Sequence, residues 1–138
     1  MNDRLARRVR TRAGECCEYC LLPQFASSIP FEIDHIIAQK HHGATVEENL
    51  ALACFYCNSA KGPNIAGLDT VDKAVVRLFH PRHDNWFEHF RWNAEMLTAI
   101  SAIGRVTIDV LCINAPDSIS LRASLIREGI FPPTLRKK

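Results

Sequence analysis

The chain has 138 residues, of which 47% are hydrophobic, which suits one compact domain and is too short for two well-separated ones. Its formal net charge of +2, from 17 lysines and arginines against 15 acidic residues, is too small to indicate a polyanionic partner by itself. No apolar run approaches the roughly 20 residues of a membrane-spanning helix, and no apolar secretory core follows the N-terminus, so we expect a cytoplasmic protein with no membrane partner.

The first predicted element is a helix over residues 3–12, with Leu5 and Val9 facing inward. Arginines crowd this segment, and we expect Arg8, Arg10 and Arg12 to contact a nucleic-acid backbone. A solvated amphipathic helix fits the same pattern and is compatible with that role. The arginines of the segment are Arg4, Arg7, Arg8, Arg10 and Arg12.

Two short strands and a helix are predicted in the middle of the chain. The run PFEIDHIIAQ has the β-branched and aromatic content of a strand, and NLALAC forms a second strand after a polar loop. FYCNSAKG then predicts a short helix closed by Gly62 and Pro63. In the first strand Asp34 directly precedes His35, so their side chains should point to opposite faces.

The rest of the chain predicts a further hairpin and two helices. Its last helix begins at Pro116 and ends near Gly129, and the tail PPTLRKK is expected to fray. The preceding elements are a loop (PNIAGLDT), a strand or short helix (KAVVRLF), a hairpin (HFRWNAEMLTAI) and a helix from a Ser101 cap to about Ile113.

Four cysteines form two C-x2-C pairs separated by thirty-three residues. Four thiolates are the closed tetrahedral ligand set of a structural zinc, and a chain without an export signal should keep its thiols reduced. Two alternatives remain: Cys16 could compete as a ligand, or the second pair could be merely buried apolar residues. Cys112 falls in a predicted helix and is expected in the core. The predicted zinc ligands are Cys17, Cys20, Cys54 and Cys57.

Histidines outside the first strand allow weaker interpretations. His41 or His42 could touch a phosphate, although loop histidines are more often solvated. A second metal could bind near His80, His83 and His89, but the aromatic residues around them favour a packed turn.

The runs CEYC, IDHI, NL and C-x2-CN-x2-K, in this order, resemble the HNH endonuclease family. The likeness covers roughly residues 7–68. It implies a ββα-metal finger, which agrees with the predicted strand, loop, strand and helix. With the elements predicted on either side we expect an α+β fold, in which an HNH ββα-metal finger with structural zinc knuckles is flanked by an N-terminal helix and a C-terminal hairpin plus helices. We therefore expect one nuclease domain over residues 1–138, with a core at 7–68 and an extension at 69–138.

The resemblance also implies roles for individual residues. Asp34 resembles the acid that binds the catalytic Mg²⁺ or Mn²⁺, and Asn58 matches its metal-binding partner on the helix. His35 corresponds to the general base, and Asn49 to the asparagine that braces the loop and the histidine. Lys61 fits the basic residue at the end of the motif, where it would approach a phosphate.

These residue types suit phosphodiester hydrolysis on chemical grounds. A neutral imidazole can accept the proton of an attacking water at physiological pH. A carboxylate and an amide oxygen leave most positions of a hard divalent cation for water and phosphate oxygens. With Asp34 and His35 on opposite sides of a strand, metal and base could flank a phosphate lodged across the hairpin.

The resemblance implies DNA as the first substrate, with 5′-phosphate and 3′-hydroxyl products, and RNA as the alternative. Oligomeric state would decide between a nick and a double-strand break. A competing hypothesis is a zinc-stabilised module that binds nucleic acid without cutting it. A thiol redox protein is a third, weaker hypothesis, because a redox pair needs one reactive thiolate rather than four matched ones.

Overall fold

Helices and three two-stranded antiparallel sheets make up the part of the chain that this computed structural model describes, residues 1–134. Residues 135–138, most of the tail expected to fray, lie outside the described residues. None of the described helices is long and apolar enough to span a membrane. In chain order the elements are α1 (Asp3–Arg12), β1 (Glu32–His35), β2 (Leu50–Ala53), α2 (Phe55–Lys61), β3 (Ala66–Leu68), β4 (Val75–Arg77), β5 (Phe90–Asn93), β6 (Met96–Ala99), α3 (Ala102–Val110) and α4 (Pro116–Arg127).

The N-terminal helix has the predicted bounds and orientation. The Asn2 side chain accepts a hydrogen bond from the Leu5 backbone N–H at 2.8 Å, which caps the start of α1. Val9 is fully buried, and α1 packs against β2. The chain leaves the helix through Gly14, whose φ of +63° favours glycine.

The central finger has the predicted order of strand, loop, strand and helix. β1 and β2 pair in antiparallel register, with Asp34 opposite Ala51 and His35 opposite Leu50. All four residues of β2 are buried, because α1 and α2 cover the hairpin. The first strand ends at His35, earlier than the PFEIDHIIAQ run predicts, since the chain beyond it turns into a loop that contains a short 3₁₀ turn, Gln39–His41.

One local prediction for the extension is wrong. PNIAGLDT was expected to be a loop, but its Ala66–Leu68 segment pairs with Val75–Arg77. Gly67 permits this hairpin to lie directly on α3, because a Cβ there would come within 2.6 Å of the Val110 side chain. KAVVRLF, predicted as a strand or a short helix, contains the strand β4.

The remaining elements follow the sequence more closely. The HFRWNAEMLTAI hairpin is confirmed, and Ser101 caps α3 by accepting a hydrogen bond from the Gly104 N–H at 3.0 Å. The α3 helix ends at Val110, short of the predicted Ile113, because the chain turns through Cys112 with a φ of +50°. Cys112 is consequently exposed, and its predicted place in the core is wrong.

One hydrophobic core joins the finger to the extension. Phe90 is fully buried and packs its ring against Phe79 and Trp86. Burial of such a side chain contributes roughly 1.5–3 kcal/mol relative to leaving it exposed. The Trp86 indole N–H also donates to the backbone carbonyl of Tyr19 at 2.9 Å, which ties the extension to the first cysteine pair.

Candidate active site

The four predicted zinc ligands converge. The sulfur atoms of the two cysteine pairs all lie within 4.8 Å of one another, and all four residues are buried. The first pair precedes the finger, whereas the second begins α2, where the Cys54 sulfur caps the helix. Cys16 is buried but outside this cluster, so its predicted competition as a ligand does not arise. The four members are Cys17, Cys20, Cys54 and Cys57.

The geometry of the cluster fits a tetrahedral zinc. Zn–S bonds of about 2.3 Å place the sulfurs of a tetrahedron about 3.8 Å apart, and Cys20 and Cys54 are 3.7 Å apart. In each pair the second backbone N–H points at the first sulfur, at 3.5 Å for Cys20 and 3.4 Å for Cys57. These N–H groups would support a thiolate-bound cation.

Neighbouring thiols shift the pKa values of three of the four cysteines. Hydrogen bonds from the other three thiols hold the pKa of Cys54 well below its usual range, whereas hydrogen bonding with Cys17 raises the pKa of Cys20 and Cys57. A divalent cation would offset the charge of four thiolates, so the donor set fits the predicted zinc.

Asp34 is almost completely buried and has two partners. The Tyr19 hydroxyl donates to Oδ2 of Asp34 at 2.7 Å, and the Lys61 ammonium lies 3.2 Å from each carboxylate oxygen. Burial raises the pKa of Asp34, while Lys61 and the Tyr19 hydrogen bond oppose that rise. The carboxylate is therefore held in one orientation by groups on two other segments of the chain.

Lys61 occupies a different place from the predicted one. Its side chain is 1% exposed, and its ammonium also donates to the His35 carbonyl at 3.1 Å. The charge of Lys61 therefore compensates Asp34 inside the protein. This burial contradicts its predicted contact with nucleic acid, because the end of α2 turns the lysine inward beside Cys57.

His35 points away from the buried carboxylate, as neighbouring strand residues must. It is half-buried, and its Nε2 lies 2.9 Å from the hydroxyl of Thr45 on the following loop. The donor in this hydrogen bond depends on the tautomer of the imidazole. Adjacent positions on β1 thus give one acid facing inward and one imidazole facing outward.

Asn49 closes the loop that follows His35. Its side-chain oxygen accepts from the Ile37 N–H at 2.8 Å, and its amide N–H donates to the carbonyls of Ile37 and Ala44 at 3.0 and 2.9 Å. Gly43 is needed in this closed loop, because a Cβ there would lie 1.7 Å from the Ile37 carbonyl oxygen. The side chain of Asn49 therefore holds the loop by hydrogen bonds to its backbone.

Asp34, His35 and Asn58 share one open groove of about 270 Å³. Asn58 lies on α2 and is half-buried. The resemblance assigned these three residues to one site, and all three line this groove, Asp34 from its buried wall. The remaining lining residues are Ile33, Ala38, Gln39, Lys40, Gly62 and Pro63.

The predicted nucleic-acid-binding arginines serve two different purposes. Arg10 donates to the Phe31 carbonyl at 2.8 Å, and Arg12 donates to the carbonyls of Glu47 and Leu50 at 3.0 and 2.6 Å. Both residues therefore fasten α1 to the finger, which differs from their predicted role. Arg8 is more than half exposed and forms a 3.1 Å ion pair with Glu47.

The histidines of the extension form a packed turn. The His80 and His83 rings stack at 3.9 Å, and His80 Nδ1 accepts hydrogen bonds from the N–H groups of Arg82 and His83. His89 Nδ1 lies 2.7 Å from the Ser101 hydroxyl. Within residues 1–134, the four-cysteine cluster is the group of metal-binding side chains that comes together.

The sequence did not predict two residues of the site, Tyr19 and Thr45. Tyr19 lies inside the first C-x2-C pair, where its fixed position between two predicted ligands was a usable signal. Thr45 lies in a polar loop, and no pattern in the sequence distinguishes it from its neighbours.

Residues 17–64 match the model of the HNH endonuclease family. The match contains both cysteine pairs, β1, β2 and α2, so the resemblance stated from the sequence is confirmed over this segment. Neither a curated protein nor a solved structure gives a significant match to the chain.

Proposed function

We propose that this protein is a metal-dependent endonuclease that hydrolyses phosphodiester bonds in DNA, because residues 17–64 match the model of the HNH endonuclease family. The observation that carries the proposal is the shared groove of Asp34, His35 and Asn58, beside a four-cysteine cluster. An acid, an imidazole and an amide, the residue types that a hydrolytic site requires, line this groove, with Asp34 in its buried wall.

Zinc on the cysteine cluster would hold the scaffold. It would join the segment before the finger to the first turn of α2. Structural zinc supplies roughly 10 kcal/mol or more in small domains, comparable with their whole stability. We assign Cys17, Cys20, Cys54 and Cys57 to this role.

Asp34 and Asn58 would hold Mg²⁺ or Mn²⁺. Their oxygen donors suit a hard cation, and Oδ1 of Asp34 has the Lys61 ammonium as its hydrogen-bond donor, which leaves one lone pair. When bound, such a cation neutralises phosphate charge and stabilises the leaving oxygen. Burial raises the pKa of Asp34, and the positive charge of Lys61 opposes this rise, which favours the ionised carboxylate that a cation needs.

His35 would act as general base. If the Thr45 hydroxyl accepts the Nε2 proton, Nδ1 of His35 keeps its lone pair and can take a proton from water. Asn49 contributes as a positioning residue, because its three hydrogen bonds fix the loop that carries Thr45. The imidazole is thus oriented before substrate arrives.

The exposed face of α1 would contact the nucleic-acid backbone. Arg4, Arg7 and Arg8 fall on one stripe of this helix and line an open groove with Thr11. Helical arginines provide charge for phosphates without reading bases. We expect DNA as the first substrate, leaving 5′-phosphate and 3′-hydroxyl ends, with RNA as the alternative.

Nicking of supercoiled plasmid with Mg²⁺ or Mn²⁺ tests the proposal. We expect the native protein to nick and His35→Ala to lose at least 100-fold in rate, as removal of a general base typically does. His83→Ala is the matched control, because His83 is an exposed histidine outside the groove. Equal nicking by native protein and His35→Ala would refute the role of His35. A native protein that binds DNA but never cuts it would favour the zinc-stabilised binding module.

A further inference from the structure

Tyr19 and Tyr56 occupy the same position in the two cysteine pairs, CEYC and CFYC, but their surroundings differ. Tyr19 is fully buried and donates its hydroxyl proton to Asp34 at 2.7 Å. Tyr56 is 48% exposed and contacts the neighbouring ring of Phe55. The turn of a cysteine pair therefore does not itself require a buried tyrosine hydroxyl, since the tyrosine of the second pair is exposed.

We propose that Tyr19 is a positioning residue that couples the zinc site to the catalytic cation, by fixing the Asp34 carboxylate from inside the first cysteine pair. This inference rests on the proposed function, because it assigns the cation to Asp34.

The hydrogen bonds to Asp34 explain how Tyr19 would act. Oδ2 is occupied by the Tyr19 hydroxyl and by Lys61, whereas Oδ1 has the Lys61 ammonium as its donor. A carboxylate oxygen accepts about two hydrogen bonds. The Tyr19 bond therefore fills one oxygen and leaves the other for a cation in the groove, which fixes the orientation of the ligand.

The position of Tyr19 is itself fixed by the cysteines on either side of it and by two residues of the extension. Cys17 and Cys20 flank it, so zinc bound to their sulfurs would restrict the short turn that carries it. Its carbonyl accepts the Trp86 indole N–H, and its ring meets the edge of Phe79 at a centroid distance of 6.5 Å. Loss of zinc would free the turn, and the Asp34 carboxylate would lose its fixed donor.

The Lys61 ammonium alone does not provide the same restraint. It lies 3.2 Å from both oxygens, so it balances the charge of Asp34 without distinguishing one oxygen from the other. The tyrosine hydroxyl contacts Oδ2 alone. Orientation of the carboxylate is therefore the contribution specific to Tyr19.

The test compares Tyr19→Phe with Tyr56→Phe in the full chain carrying its zinc. Both variants lose one hydroxyl at the same position of a cysteine pair. Mn²⁺ binding without DNA is measured by electron paramagnetic resonance, and plasmid nicking is measured across Mn²⁺ concentrations. Zinc content is determined for each protein, because an unchanged value shows that the cysteine cluster is intact.

We expect Tyr19→Phe to bind Mn²⁺ about tenfold more weakly, the size of effect that loss of a hydrogen bond to a charged group produces. Half-maximal nicking should need about tenfold more Mn²⁺, while the rate at saturating Mn²⁺ returns close to the native value. Tyr56→Phe should match the native protein in every measurement. A purely structural role for Tyr19 would lower stability or zinc content without this selective change in Mn²⁺ affinity.

Each contrary outcome has a distinct meaning. If Tyr19→Phe titrates like the native protein while Asp34→Asn abolishes Mn²⁺ binding, the coupling is refuted and the proposed function stands. If the native protein neither binds Mn²⁺ nor nicks, the proposed function fails and the inference fails with it. If Tyr19→Phe does not fold, the test uses Trp86→Phe, which removes the N–H donor to the Tyr19 carbonyl. Weaker Mn²⁺ binding by this variant at full zinc content supports the coupling, and unchanged Mn²⁺ binding refutes it.

Discussion

The Lys61 ammonium lies 3.2 Å from the Asp34 carboxylate in the interior of the protein, where the two side chains are 1% and 6% exposed. Each charge depends on the other, because an unpaired ion in this position would lose its hydration without compensation. The acid assigned to the catalytic cation is therefore also part of the structural core.

Replacing Lys61 should destabilise the fold. We expect Lys61→Met to lower the free energy of unfolding by about 3–5 kcal/mol, the cost of removing one partner from a buried ion pair. Lys40→Met, an exposed lysine in the same groove, should change it by about 0.5 kcal/mol or less. Urea denaturation measures both. Equal small losses would contradict the burial of Lys61 and restore it as a surface contact.

Disrupting the cysteine cluster should remove the metal and the fold of the finger together. We expect one zinc per native chain and none in Cys57→Ser, which should lose cooperative unfolding because structural zinc supplies roughly 10 kcal/mol. Cys112→Ser is the control, since that exposed cysteine lies outside the cluster. Metal analysis and thermal unfolding report the result, and a cooperatively folded Cys57→Ser protein would show that the scaffold does not need zinc.

Thr45 should affect the rate of cleavage and leave cation binding unchanged. Thr45→Val keeps the shape of the side chain but removes the hydroxyl near His35 Nε2, so we expect kcat to fall about tenfold with an unaltered Mn²⁺ dependence. Thr70→Val, at an exposed turn, should leave both quantities at native values. A Thr45→Val protein with native kcat would mean that the imidazole is oriented by other groups.

The arginines of α1 should separate into two classes. Replacing Arg4 and Arg7 by glutamine should reduce the slope of log affinity for DNA against log salt by about 2, because each phosphate contact releases about 0.9 counterion. Folding should be unaffected, since both side chains are exposed. Fluorescence anisotropy over a salt series gives the slope, and an unchanged slope would place the nucleic acid elsewhere.

Arg10→Gln provides the contrast. Its guanidinium bonds the Phe31 carbonyl, so its replacement should lower the free energy of unfolding by about 1 kcal/mol or somewhat more. We expect the salt slope to stay near the native value. A large change in slope with native stability would return Arg10 to the predicted nucleic-acid-binding set.

The sequence predicted the finger well because each signal for it lies within a short segment of the chain. Spacing located the cysteine pairs, and β-branched runs located β1 and β2. Whether the Lys61 side chain points inward or outward was harder to predict, since a basic residue three positions after Asn58 can contact either a phosphate or a buried acid. Only the packing of α2 on β1 decides between these roles, through contacts between residues far apart in the chain.

Other failures have the same origin. The Ala66–Leu68 strand contains small residues with little strand preference of their own, and it forms because Gly67 lets α3 approach. The bond between Tyr19 and Asp34 joins positions 15 residues apart, and the pattern of either segment alone does not reveal it.

Trp86 belongs to the extension, yet its indole satisfies a carbonyl inside the first cysteine pair. A shortened gene product ending near residue 68 would retain every proposed catalytic and zinc-binding residue. It would nevertheless leave that carbonyl without its donor and uncover the apolar wall around Tyr19. If this finger were transferred into another protein as a small nuclease module, the host would have to supply an N–H donor for the Tyr19 carbonyl. It would also have to supply aromatic side chains that pack around the Tyr19 ring.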